Sequence, residues 1–71
     1  MNWDIAESNW NHFQNTVRAC WSRLNSDNLD LIAGKRVLLL GKLQEMYGME
    51  EIDAESEIKA FERRCADYDA K

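Results

Sequence analysis

Residues 3–24 read WDIAESNWNHFQNTVRACWSRL, and the spacing of their apolar members decides the fold class. Trp3, Ala6, Trp10, Phe13, Val17, Trp21 and Leu24 follow one another at steps of three or four residues. With a helix turning about 100° per residue, such steps draw one apolar stripe along one side of an amphipathic helix. The spacing predicts a helix from about Asp4 to Leu24. Asp4 and Glu7 read as a capping pair for its first turn, and Arg18 and Arg23 lie near its negative end.

Outward from this stretch the same logic repeats. Asn25-Ser26-Asp27-Asn28 interrupts the periodicity with side chains that accept backbone N–H groups, a loop that also starts a helix. A short helix is predicted from about Ser26 to Ala33, with Leu29 and Ile32 inward and Gly34 ending or bending it. A third helix is predicted over about Lys35 to Tyr47, with Leu39, Leu43 and either Met46 or Tyr47 inward and Gly48 closing it. The fourth starts among the acids between Glu50 and Asp53, where the helix dipole favours negative charge. Ala54, Ile58, Phe61, Cys65 and Tyr68 form its stripe, and Glu55 and Lys59 pair at i,i+4 on its outer side. The expected core is Trp10, Phe13, Val17, Trp21, Leu24, Leu29, Ile32, Leu39, Leu43, Tyr47, Ile58 and Phe61.

Composition agrees with an all-α chain. Proline is absent and only three glycines occur, which disfavours a turn-rich β fold. Seventy-one residues make one domain, residues 1–71, near the lower size at which a core holds without disulfides or metals. The net charge is −4, and all of the surplus falls from Met49 onward, where eight acids face four bases. An acidic chain repels phosphate backbones and anionic lipid, so nucleic acid is a disfavoured partner and no membrane is expected. No basic start leads into an apolar stretch, and no apolar run approaches the ~20 residues that span a bilayer. The expected location is cytoplasmic, with Cys20 and Cys65 reduced.

The central block Leu29-Asp30-Leu31-Ile32-Ala33-Gly34-Lys35-Arg36, then Leu39, Gly41-Lys42-Leu43-Gln44-Glu45 and Tyr47-Gly48, resembles the core motif of the CsbD-like family. Asn2-Trp3-Asp4, Trp10, Trp21 and Leu24 match the family's front half without a gap, so the resemblance covers almost the whole chain and weakens after Gly48. It implies a small bacterial protein associated with general stress responses, without an established molecular activity. It also implies a fold that periodicity alone cannot choose: a small four-helix bundle of two roughly orthogonal α-hairpins, SAM-domain-like. The chain departs from the family where lysine is frequent (here Asn11, Gln14 and Thr16) and where glycine is frequent (here Asn15 and Ser22). Those changes remove basic charge and stiffen the first helix, each interior glycine costing about 1 kcal/mol against alanine.

No constellation of catalytic or ligand-binding residues emerges. His12 and Cys20 stand eight residues apart on the predicted helix, about 12 Å along the axis at 1.5 Å per residue, beyond dyad reach. Two cysteines and one histidine make no zinc spacing, and the acids from Glu50 to Glu57 lack the pattern of a calcium loop. Gly41-Lys42 is no phosphate loop: Arg36 holds the place of the required first glycine and Leu43 that of the magnesium-binding hydroxyl. Gly34 and Gly41, seven apart, suit a close helix crossing. Trp3, Trp10 and Trp21 share a helix side, but a stacking platform needs basic neighbours, so they read as core. No catalytic residue, metal or cofactor is therefore expected, and the chain reads as no enzyme.

Val37-Leu38-Leu39-Leu40 stands apart. Four consecutive apolar residues wrap the whole circumference of a helix, while a small bundle buries about half of it. The exposed part would form an apolar patch beside basic residues. Lys35, Arg36, Val37, Leu38, Leu40 and Lys42 are the candidate surface for a protein partner or weak self-association. A nucleic-acid-binding module resting on the three cations of that patch is the alternative.

Overall fold

The computed structural model describes residues 2–65, and these form helices and connections. Five helices follow in order: α1 (Trp3–Ser8), α2 (Trp10–Cys20), α3 (Ser26–Ile32), α4 (Arg36–Tyr47) and α5 (Glu51–Arg64). Helix α4 is central in the packing, lying against both α3 and α5.

The long first helix expected from the Trp3–Leu24 stripe is two helices. Asn9, at φ −127° and ψ 38°, leaves helical geometry, ends α1 and starts α2. Its N–H still bonds the carbonyls of Ile5 and Ala6, and its own carbonyl accepts from His12 and Phe13. The chain kinks without losing phase, so a single apolar stripe survives the break. The cap of α1 is Asn2, whose side chain accepts from the Asp4 N–H, and not the expected pair of Asp4 and Glu7. Helix α2 ends at Cys20, and Trp21 and Leu24 close the stripe from a turn in which the Leu24 N–H bonds the Trp21 carbonyl.

Asn25 caps α3 by accepting from the Asn28 N–H. Ala33 takes the left-handed conformation that ends α3, at φ 48°, and Gly34 continues it at φ 82°. Gly34 does more than end a helix. A Cβ placed on it would stand 2.5 Å from the Glu7 Cα, so this turn packs directly on the backbone of α1. Gly41 has no such role: it lies exposed on α4 and a Cβ there would meet nothing within 4 Å. The shared crossing expected of the two glycines therefore does not form. Gly48 closes α4 in the left-handed region, at φ 65°. Helix α5 opens on Glu51 and Asp53 and ends on Arg63 and Arg64, matching the dipole at both ends. Tyr68, expected on its stripe, lies outside the described residues.

The core consists of Ala6, Phe13, Val17, Trp21, Leu24, Leu29, Ile32, Leu39, Leu43, Ala54, Ile58 and Phe61, with Trp3, Trp10, Met46 and Tyr47 partly buried against it. Aromatic rings fill its centre. Phe61 lies 5.0 Å from Trp21, 5.8 Å from Phe13 and 6.4 Å from Trp3, measured between ring centroids. Each indole N–H is satisfied: Trp3 donates to Glu62, Trp10 to the Leu29 carbonyl and Trp21 to Glu57. The rings are thus committed to the interior and its rim.

The two glycines on this frame should respond oppositely to alanine. Gly34→Ala meets the α1 backbone at positive φ and should cost about 3 kcal/mol of unfolding free energy. Gly41→Ala meets open space and should gain about 1 kcal/mol from helix propensity. Urea denaturation of both variants checks this, and equal effects would contradict the close approach at Glu7.

Candidate functional site

Helix α4 carries two unlike faces, and its side chains divide between them. Leu39 and Leu43 are fully buried, and Leu40 is packed partly against the core, so Leu40 does not belong to the exposed surface expected of it. Val37 is 70% exposed and Leu38 45%; across the α3–α4 turn Leu31 is 63% exposed. Together with Gly41, Lys42 and Glu45 they line a shallow groove of about 220 Å³ between α3 and α4. Leu31 and Glu45 were missing from the sequence-based surface. Leu31 was within reach of sequence reasoning, because Leu29, Leu31 and Ile32 cannot all face inward from one short helix.

Two of the three cations expected beside this patch, Lys35 and Arg36, are drawn elsewhere. Arg36 turns away from it, toward α5. Its Nη1 and Nη2 donate to the two Glu55 oxygens at 3.0 and 2.7 Å, and its Nε donates to Glu62 Oε2 at 2.7 Å. The same Glu62 oxygen accepts from Trp3 Nε1 at 2.7 Å, so one carboxylate joins α1, α4 and α5. Glu55 accordingly faces α4 and not the outer side expected from its spacing with Lys59. Lys35 pairs with Glu7 at 2.6 Å and Lys42 with Glu45 at 3.3 Å. All three cations of the anticipated basic patch are thus engaged by carboxylates. Only Lys42 lines the groove, and Glu45 lines it too.

The network sets its own protonation. Hydrogen bonds donated to Glu55 and then to Glu62 hold the Arg36 guanidinium charged well beyond its ordinary range. Hydrogen bonding to Arg36 lowers the Glu55 pKa against the opposing effect of burial. For Glu62, partial burial pushes upward, but hydrogen bonds from Arg36 and Trp3 and the charge of Arg36 together bring the pKa below its ordinary value.

A second, smaller cleft of about 170 Å³ lies between the ends of α2 and α5, lined by Cys20, Trp21, Glu57 and Arg64 among others. Arg64 Nη1 donates to Cys20 Sγ at 3.1 Å. Cys65 beyond it is a half-buried free thiol whose pKa is raised first by burial and then by the nearby Cys20. His12 is exposed on α2. Among the described residues no group of three or more His, Cys, Asp or Glu side chains could hold a metal ion, and no helix is long and apolar enough to cross a membrane.

The Arg36 network should give stability a definite pH dependence. Folded-state pKa values of Glu55 and Glu62 lie below the unfolded value, about 4.3 for glutamate. Their contribution is therefore complete above that value and lost as pH falls through the lower folded-state values. Arg36→Met should be clearly less stable than the native sequence at pH 7, with the difference narrowing toward pH ~3. Urea unfolding of both chains at the two pH values measures this; a difference that stays constant would exclude the network as its source.

No protein-family model matches the chain, but individual relatives do. The UPF0337 protein YjbJ of Escherichia coli O6:H1 is 42% identical over 64 residues, covering 90% of this chain and 93% of that protein. The UPF0337 protein ECA0631 of Pectobacterium atrosepticum is 44% identical over 62 residues, 87% of this chain and 90% of its own length. The UPF0337 protein NE2439 of Nitrosomonas europaea is 37% identical over 65 residues, 92% of this chain and 69% of its own length. Identity of this order along nearly the whole helical domain means that the chain belongs to the UPF0337 family of bacterial proteins.

Proposed function

We propose that this protein is a non-enzymatic, CsbD-like general-stress protein that acts by binding other proteins and protecting them. The observation that carries the binding mode is the exposed aliphatic surface of Leu31, Val37 and Leu38. These side chains are outside the core, and α4 would form as well with polar residues at its exposed positions. An apolar surface beside a groove is suited to transient contact with apolar segments that other proteins expose when they unfold. The stress role rests on the resemblance of the central motif, and with it the expectation of orthogonal, SAM-domain-like hairpins. The absence of a nucleophile–base pair in the sequence supports the non-enzymatic part. Nucleic-acid binding carries less weight, because Lys35, Arg36 and Lys42 are each paired with carboxylates within the chain.

The test is suppression of aggregation. A thermally unfolding client protein, followed by light scattering, should aggregate more slowly with the native chain present. Val37→Asp combined with Leu38→Ser should abolish the protection while leaving the helical circular dichroism unchanged, since both side chains lie outside the core. Equal scattering with and without the native chain would refute the protective role. Abundance in cells should also rise on entry to stationary phase or under osmotic shock, which quantitative immunoblotting reads directly.

A further inference from the structure

The closing turns of α2 and α5 bring the two cysteines of the chain to one place. Cys20 is the last residue of α2, and Cys65 caps α5 with its N–H on the Phe61 carbonyl at 3.0 Å. That bond keeps Cys65 in helical register one turn beyond Phe61, on the same face. Phe61 in turn lies 5.0 Å from Trp21, the chain neighbour of Cys20. Both thiols pack, partly buried, against the same core, and a negative charge on Cys20 acts on Cys65.

Their surroundings differ. Cys20 lines the cleft of about 170 Å³, and its Sγ receives Arg64 Nη1 at 3.1 Å. A guanidinium has donors only, so it holds that sulfur as an acceptor and favours negative charge developing on it. A water molecule takes ~30 Å³, so the cleft has room for a small hydroperoxide beside the sulfur. Cys65 is pushed the other way: burial, and then Cys20, raise its pKa and keep it a thiol.

We propose that Cys20 and Cys65 are a peroxide-responsive pair, in which Cys20 meets the oxidant and Cys65 resolves the product as a disulfide within the chain. Cys20 Sγ attacks one oxygen of hydrogen peroxide; an S–O bond forms, the O–O bond breaks, and the departing hydroxide takes the thiol proton as water. Cys65 Sγ then attacks the sulfenic sulfur; the S–S bond forms, the S–O bond breaks, and hydroxide leaves with the Cys65 proton as a second water. The two thiols together lose two electrons, and peroxide gains them. The bridge ties the end of α2 to the end of α5 and closes a loop of more than half the chain. Such a crosslink removes entropy from the unfolded state, so oxidation of this pair strengthens the fold.

Treatment of the folded, reduced chain with a few equivalents of hydrogen peroxide tests it. Titratable thiols should fall from two per chain to none, and the intact mass should drop by two hydrogen atoms. A digest should join the Cys20 and Cys65 peptides, and dithiothreitol should restore both thiols. The thermal midpoint of the oxidised chain should rise by ~10 °C. Cys65→Ser should halt at a Cys20 sulfenic acid that dimedone captures, while Cys20→Ser should react far more slowly. Arg64→Gln should slow bridge formation several-fold with helical circular dichroism unchanged. Two thiols still titratable after treatment, bridges formed only between chains, or equal reactivity of the two serine variants would each overturn the proposal. So would an Arg64→Gln chain that closes its bridge at the native rate.

Discussion

Phe61 is the ring on which the rest of the structure depends. Its centroid lies within 6.4 Å of Trp3, Phe13 and Trp21, so α1, α2 and the turn after α2 all converge on one residue of α5. A chain of 71 residues has little area with which to offset the entropy of folding. Large rings supply it economically: each buries up to ~200 Å² with only two side-chain torsions to fix. The neighbouring residue completes the junction. Glu62 receives Trp3 and Arg36 on one carboxylate oxygen, so the same turn of α5 holds α1 and α4 by polar contact at the edge of the aromatic cluster.

That polar contact shapes the opposite side of α4. A half-buried charge is costly unless fully hydrogen-bonded, and Arg36 meets the requirement with a two-pronged contact to Glu55 and a third bond to Glu62. Lysine, with a single ammonium, could not reproduce the fork. In satisfying α5, Arg36 is withdrawn from the α3–α4 side, while Lys35 is drawn to Glu7 on α1. The surface left between them is therefore aliphatic, with charge confined to the Lys42–Glu45 pair at its far end. The ion network and the exposed apolar groove are two consequences of one side-chain orientation.

The helices and the core were legible because both follow from local spacing. Leu29, Leu39, Ile58 and Phe61 are buried at steps that no register shift could reproduce on another face. The break at Asn9 was not legible, because the kink preserves the apolar phase: Ala6, Trp10 and Phe13 keep their three- and four-residue steps across it. The inward turn of Arg36 was equally hidden. Its partners are 19 and 26 residues away, and only the packing of α4 on α5 brings them within reach. Gly34 shows the same limit. Its place at a helix end was readable, but its contact with the Glu7 backbone belongs to tertiary structure.

The run Val37-Leu38-Leu39-Leu40 showed that some apolar side chains must face outward, and the fold selects which. Leu39 and Leu40 serve the core, while Val37 and Leu38 do not. Folding alone gives no reason for that choice. Valine is a weaker helix former than lysine, glutamate or alanine at an exposed position, and glycine at position 41 is weaker still. Leucine at position 31 exposes apolar area where a polar residue would be soluble at no cost to packing. Scattered over a surface, such choices would mean little. Here three locally unfavourable residues line one groove, and local rules that fail together at one place mark a surface shaped by contact rather than by folding.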